Sequence, residues 1–324
     1  MKADTTALRD QIDVSFLVAS FNGRDYLGEA VASALAQQGV TVEVLVVDDH
    51  SSDGSWPLAQ QLAAADPRVL ALRTPANLGP AAARNVAIAA ARGRWLAVLD
   101  SDDLIDPERS QRLVEIAEAG GADVVADDLL VFADGSPDAP RRFLGAAAPR
   151  AAEWIDLESY FRGTRMYGRS PDLGFLKPMI RADFLRRRGI RYDETLRIAE
   201  DDALIVQLLR AGARYLLVPD ALYRYRKHGT SISHRLSTAH VDKMMAAGER
   251  LRGDLQNDRA ATRALLPRHR ALRRAWAFTH LIEALKRRDA RRAVAIAAAY
   301  PTMLPLLRMP AAAALRRLWG RRSA

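Results

Sequence analysis

The sequence predicts an α/β protein, a mostly parallel sheet flanked by helices with a C-terminal helical extension, and three observations carry that reading. Short β-branched apolar runs alternate with segments of helical length over the first hundred residues. Several of these runs end in a cluster of polar or acidic residues. From about Ala239 the texture changes to basic, Ala/Arg/Leu-rich helical sequence.

Taken in order, Val14 to Ala19, Val42 to Val47, Val69 to Leu72 and Trp95 to Leu99 read as strands. Tyr26 to Gln38, Trp56 to Ala65 and Pro80 to Arg92 read as the helices between them. Such alternation implies parallel strands joined by right-handed crossovers, with ligands bound beyond the carboxyl ends of the strands. Asp123 to Phe132 and Phe175 to Ile180 are further strand candidates, and Glu200 to Ala211 is a helix. Residues 1–240 are therefore expected to form one α/β domain, and 241–324 a basic helical extension interrupted at Pro267 and by the prolines from Pro301 to Pro310.

Composition narrows the function. The chain has 324 residues, 49% of them apolar, enough for a sizeable core. It has no cysteine, which excludes a disulfide framework, a zinc–thiolate site and a cysteine nucleophile. The start, Met1 to Phe16, lacks a secretory h-region, and the most apolar stretch, Ala293 to Leu315, is broken by three prolines and Arg308, so a cytoplasmic location is expected. The net charge of +9 divides into +13 from Val241 onward and −4 before it, so the extension rather than the body is suited to an anionic surface.

The polar strand ends carry the chemistry. Asp100-Ser101-Asp102-Asp103 sets alternate carboxylates on a turn after a buried strand, a donor set for Mg²⁺ or Mn²⁺ shared with phosphates. The competing reading is an acidic loop in which Asp106 caps a helix starting near Pro107. Asp48-Asp49 closes the second strand with another acidic turn, either to accept from a nucleobase N–H or as plain turn chemistry with Ser52-Asp53-Gly54. Two acidic strand ends at one sheet edge repel unless a cation is present. Gly79-Pro80 opens a helix whose free N–H groups can face phosphate or simply pack. Glu200, Asp201 and Asp202 begin another helix, where the dipole favours acids, and helical character alone does not choose among them.

Four segments in order and spacing, Val14 to Asn22, Val44 to Ser51, Asn77 to Asn85 and Leu99 to Asp103, resemble the family 2 glycosyltransferases of the GT-A fold, and the similarity runs from about Val14 to Ser233. The resemblance implies that Ala19 and Phe21 line a uracil-type pocket with Phe21 stacking on the base. It also implies that Asp49 reads the base edge, Arg84 contributes to the nucleotide-sugar site, Asp100 holds the ribose and Asp102 coordinates a divalent cation, Mg²⁺ or Mn²⁺, bridging the diphosphate. Ile198 to Leu204 resembles the family's Glu-Asp signature, which makes Asp201 the catalytic base for the acceptor hydroxyl. Tyr223 to Ser233 resembles the Tyr-Arg-x-His segment, which makes His228 a second metal ligand or, on the alternative reading, a surface histidine; His234, His240, His269 and His280 have no such context.

Asp172 to Ile180 and Arg191 to Arg197 resemble the bacterial exopolysaccharide branch, specifically succinoglycan-type side-chain glucosyltransferases. This implies an inverting enzyme that moves glucose from UDP-glucose onto a lipid-linked oligosaccharide acceptor. The sequence departs from the family in having Ala-Ser-Phe-Asn for Pro-x-Tyr-Asn and Ala199 where glycine is usual; neither change removes a reacting group. The absence of a Gln-x-x-Arg-Trp segment disfavours a processive synthase.

Three rival readings are weaker. A sugar-nucleotide pyrophosphorylase needs a glycine-rich phosphate loop that Ala19 to Arg24 does not supply, and a dehydrogenase needs a Gly-x-Gly-x-x-Gly that is absent. A nucleic-acid-binding protein would leave the acidic strand ends unexplained, so no nucleic-acid partner is expected. The basic clusters at Lys286 to Arg288, Arg291-Arg292, Arg316-Arg317 and Arg321-Arg322, flanking Leu306-Leu307 and Trp319, suit peripheral contact with an anionic membrane surface or a solvated helical face.

Overall fold

The computed structural model describes residues 12–136, 139–168, 171–228 and 236–308. In chain order the elements are β1 (Val14–Ser20), α1 (Arg24–Leu35), β2 (Val42–Asp48), α2 (Ser55–Ala65), β3 (Val69–Arg73), α3 (Pro80–Ala90), β4 (Trp95–Val98), β5 (Leu104–Ile105) and α4 (Arg109–Gly120). There follow β6 (Val124–Ala126), β7 (Leu129–Ala133), β8 (Arg141–Arg142), β9 (Glu153–Ile155), α5 (Leu157–Gly163), β10 (Met179–Arg181), α6 (Ala182–Arg187), α7 (Glu200–Arg210), β11 (Tyr215–Leu217) and β12 (Tyr223–Lys227). The chain ends in α8 (Thr238–Asp254), α9 (Arg259–Lys286), α10 (Ala290–Ala299) and a 3-10 segment, Pro301–Leu307.

An eight-stranded sheet runs β3-β2-β1-β4-β10-β6-β11-β9. Neighbours β3, β2, β1 and β4 are parallel; β10 lies antiparallel to both β4 and β6, and β9 antiparallel to β11. The chain steps outward from β1 to β3 and then returns to place β4 on the other side of β1, which creates a switch point where loops diverge. Strand β2 and most of β1 and β4 are buried, as continuous apolar strands covered on both faces must be. A second sheet, β5-β12-β7-β8, pairs β12 parallel to β7 and antiparallel to β5.

The structure corrects three expectations and the competing reading of Asp106. The strand expected over Asp123 to Phe132 is two strands in different sheets, because Asp127 and Asp128 between them are fully buried and bound. Asp127 grips Arg109, and Asp128 accepts from the N–H groups of Leu129 and Leu144, each at 2.8 Å. The strand expected from Phe175 shrinks to β10, since Asp172 caps a 3-10 turn over Leu173–Phe175. Asp106 is not the cap of a helix at Pro107: α4 starts at Arg109, with no side-chain cap at Glu108. Pro267 does not interrupt α9, which runs through it for 28 residues.

Compactness divides the chain into two units, residues 1–160 with 170–231, and 161–169 with 232–324. In the second unit α8 lies along α9, tied by Glu249–His269 at 3.1 Å and Asp242–His280 at 2.9 Å. The later half of α9, α10 and the 3-10 segment share a core of Ala277, Phe278, Leu281, Ala284, Ala293, Met303 and Leu306, against which Leu307 also packs. Leu306 is thus buried in its own core and Leu307 half-buried against it. His234, Arg316-Arg317, Trp319 and Arg321-Arg322 lie outside the described residues. No helix among the described residues is long and apolar enough to cross a membrane.

Candidate active site

The loops after β1, β2 and β4 gather at the carboxyl edge of the sheet. Asn22 at φ 51° and His50 at φ 62° turn the first two. The turn after β2 holds the start of α1: Gly23 N–H donates to the Ser55 hydroxyl at 3.0 Å and Arg24 N–H to Asp53 at 3.1 Å. Ala19 is half-buried, and Phe21 two residues on is 43% exposed.

Asp49 is buried and already bound. One oxygen accepts from Thr74 Oγ1 at 2.9 Å and Leu78 N–H at 2.8 Å, the other from Gly79 N–H at 2.7 Å. The backbone just before α3 therefore holds this internal carboxylate through Leu78 and Gly79. A carboxylate has about four acceptor positions, and these three bonds leave Asp49 one more.

Arg84, on α3, is the hub of the site. Its guanidinium reaches Asp100 at 2.7 Å, Glu200 at 2.7 Å and Asp201 at 3.1 Å, with Tyr192 under its plane. Lys177 completes the ring, with Nζ 2.8 Å from Asp100 and 3.1 Å from Asp201. Burial works against every charge here, but the partners decide: Lys177 and Arg84 hold the Asp100 carboxyl at about 2. Burial would lower Lys177, yet Asp100 and Asp201 push it well above the ordinary lysine value. Glu200 is raised by burial and by the Asp201 charge, against Arg84. Of the three acids opening α7, Asp201 also accepts from Tyr192 Oη at 3.1 Å, while Asp202 is bound to Tyr160 Oη at 3.1 Å.

The metal-type cluster forms around the same loop. Oxygens of Asp100, Asp102 and Asp103 lie within 4.8 Å of one another. Asp103 is fully buried, accepting from Tyr223 Oη at 2.9 Å and Arg226 N–H at 2.7 Å. Burial and the neighbouring Asp100 and Asp102 charges push its carboxyl well up. Asp102 is more open and meets His228 Nε2 at 2.7 Å. Arg226 donates to the Asp102 carbonyl at 2.9 Å and reaches Glu29 and Asp134, and Tyr26 lies against both Arg226 and the His228 ring. An oxygen-rich set of this kind fits a hard divalent cation, and His228 sets an imidazole beside Asp102, its most open member.

The structure thus brings Arg84, Asp100, Asp102, His228 and Asp201 into one connected network, with Asp49, Ala19 and Phe21 on the neighbouring strand ends. Sequence reasoning gave no role to Lys177, Tyr192 or Arg226. Lys177 stands in Asp172 to Ile180, a segment quoted for its resemblance, and its carbonyl accepts from the buried Arg109 at 2.6 Å.

This edge is acidic, bridged by Arg84 and Lys177, and lies at the switch point of the large sheet. Residues 15–178 match the family described as Glycosyl transferase family 2. The chain is 41% identical to the succinoglycan biosynthesis protein ExoO of Rhizobium meliloti (strain 1021), over 95% of this chain and 88% of that protein. It is 35% identical to ExoU of the same organism, over 91% and 85%. Among solved structures, S. aureus TarS 1-349 in complex with UDP-GlcNAc superposes with a TM-score of 0.66 at 18% identity, over 90% of this chain and 92% of that one. The chain belongs to glycosyl transferase family 2 and is a glycosyltransferase.

Proposed function

We propose that the chain is an inverting, metal-dependent glycosyltransferase of exopolysaccharide biosynthesis. In this reading it moves one sugar, glucose from UDP-glucose, onto a lipid-linked oligosaccharide at the cytoplasmic face of a membrane. The observation that carries it is the joining of Asp201 on α7 to the Asp100 loop through Arg84 and Lys177, which sets a candidate base beside the candidate donor site. The identity to two succinoglycan biosynthesis proteins supports the pathway class. The UDP-GlcNAc held by TarS supports a uridine diphosphate donor.

Phe21 stacks on the base, Asp49 accepts from its edge and Asp100 holds the ribose. Asp201 takes the proton from the acceptor hydroxyl as that oxygen attacks the anomeric carbon and the nucleoside diphosphate departs from the opposite side. Arg84 and Lys177 keep Asp201 oriented toward the reacting centre. Asp102 and His228 are the residues that would hold a divalent cation, which would offset the charge of the diphosphate. The division of labour that follows assigns residues 1–240 to catalysis and 241–324 to the membrane surface.

Isothermal calorimetry with UDP-glucose, UDP-galactose and GDP-mannose, each with Mn²⁺ and with EDTA, tests the donor site. Metal-dependent binding of UDP-glucose that is lost in Asp102→Ala is expected. If the folded chain binds none of the three, the reading fails.

A further inference from the structure

We propose that the outer face of α10, with the turns on either side of it, is a docking surface for an anionic lipid leaflet. The inference rests on the membrane-side acceptor in the proposed function and specifies where the chain meets that membrane.

Helix α10 presents two faces. Ala293, Ile296, Ala297 and Tyr300, at helical spacing, pack on the core of their own unit. Arg291, Val294, Ala295 and Ala298 occupy the opposite side, and all four are exposed. A surface helix ordinarily places polar residues there; this one carries a single cation and otherwise apolar side chains. Val294 is 68% exposed, Leu285 in the last turn of α9 is 53% exposed and Leu304 in the 3-10 segment 42%. Exposed apolar side chains of this size on three consecutive elements are not favoured by water.

Charge selects the occupant. Lys286, Arg288, Arg291 and Arg308 are exposed in and beside α10, against one exposed acid there, Asp289, whose carboxylate caps the helix, and the sequence from Ala290 to Ala324 contains no aspartate or glutamate. A second copy of the same face would set cations against cations. An anionic leaflet satisfies both features: its headgroups meet the lysine and arginines while Val294 and the leucines enter the interfacial layer. Each basic side chain at such a surface is worth about fivefold in partitioning.

The test is flotation of the full chain with vesicles of phosphatidylcholine alone and of phosphatidylcholine with phosphatidylglycerol at 3:1. Wild type is compared with Val294→Asp/Leu304→Asp and with Arg291→Glu/Arg308→Glu, whose exposed positions keep the fold intact by circular dichroism. Binding to the anionic vesicles only, reduced at least tenfold in both variants while calorimetric UDP-glucose binding is unchanged, supports the surface. Undiminished vesicle binding in both variants overturns it, as does a dimer in size-exclusion chromatography that Val294→Asp/Leu304→Asp dissociates. Wild type that ignores anionic vesicles yet binds a nucleotide sugar overturns the docking face and leaves the transferase reading standing. Anionic-vesicle binding that both variants lose, with no affinity for any nucleotide sugar, does the reverse.

Discussion

Lys177 stands between two carboxylates from opposite ends of the fold, Asp100 after β4 and Asp201 on α7. Replacing it by methionine removes a buried cation from between two partly buried acids and leaves only Arg84 with them. Lys177→Met is expected to lose about 3–5 kcal/mol of stability in urea denaturation, the usual cost of breaking a buried pair from one side. Asp201→Asn, by contrast, is expected to keep the fold and donor binding and to slow transfer by 10²–10⁴-fold, as loss of a general base does. Asp202→Asn, whose carboxylate is bound to Tyr160, is expected to slow transfer far less; equal losses would remove the distinction between the two acids. Ala199 adopts φ 66° at the start of α7. A Cβ is strained there, so Ala199→Gly is expected to raise stability by about 0.5–1 kcal/mol, read as a higher urea midpoint. The acidic strand ends were legible in sequence because each motif is local. The partners of Asp201 were not, since Lys177 and Arg84 lie tens of residues upstream and only the fold brings them together.

Helix and strand identities followed the apolar period wherever one element was long and unbroken, as with β1, β2 and α3. The period misled where buried polar residues intervened: Asp127 and Asp128 end β6 and begin a different sheet, a choice made by Arg109 and Arg142 from elsewhere in the chain. Pro267 misled in the other direction, since the loss of one backbone hydrogen bond is tolerated in a 28-residue helix packed along α8. That packing carries a pH dependence. Burial raises the Asp242 carboxyl, but hydrogen bonds from His280 and Trp276 outweigh it and bring it below its ordinary value of 3.8. A depressed carboxylate stabilises the folded state above its unfolded pKa and ceases to do so as pH falls through the folded one. Thermal unfolding followed from pH 6 to pH 3 is therefore expected to show wild type losing stability below about pH 4 more steeply than Asp242→Asn; parallel curves would remove Asp242 from the account.

Across the whole chain, charge and chemistry are segregated: the acids that matter sit at the edge of the large sheet, and the excess of cations follows Val241. Screening shortens from about 10 Å at 0.1 M salt to about 3 Å at 1 M, and it acts on exposed charge far more than on buried pairs. Raising salt is accordingly expected to release the chain from anionic vesicles while leaving calorimetric donor binding nearly constant; parallel losses would place both on one surface. The antiparallel strand β10 has a consequence of a different kind, in time. It is three residues long, and it alone joins β4 to β6, uniting the early strands with the late ones. Roughly 80 residues separate β4 from β10, so at synthesis rates of about 5–20 residues per second the edge of β4 waits about 4–16 s for its neighbour. An uncovered strand edge recruits other chains. Substitutions around Met179 that delay this closure will register first as aggregation of newly made protein, even where the finished enzyme is fully active.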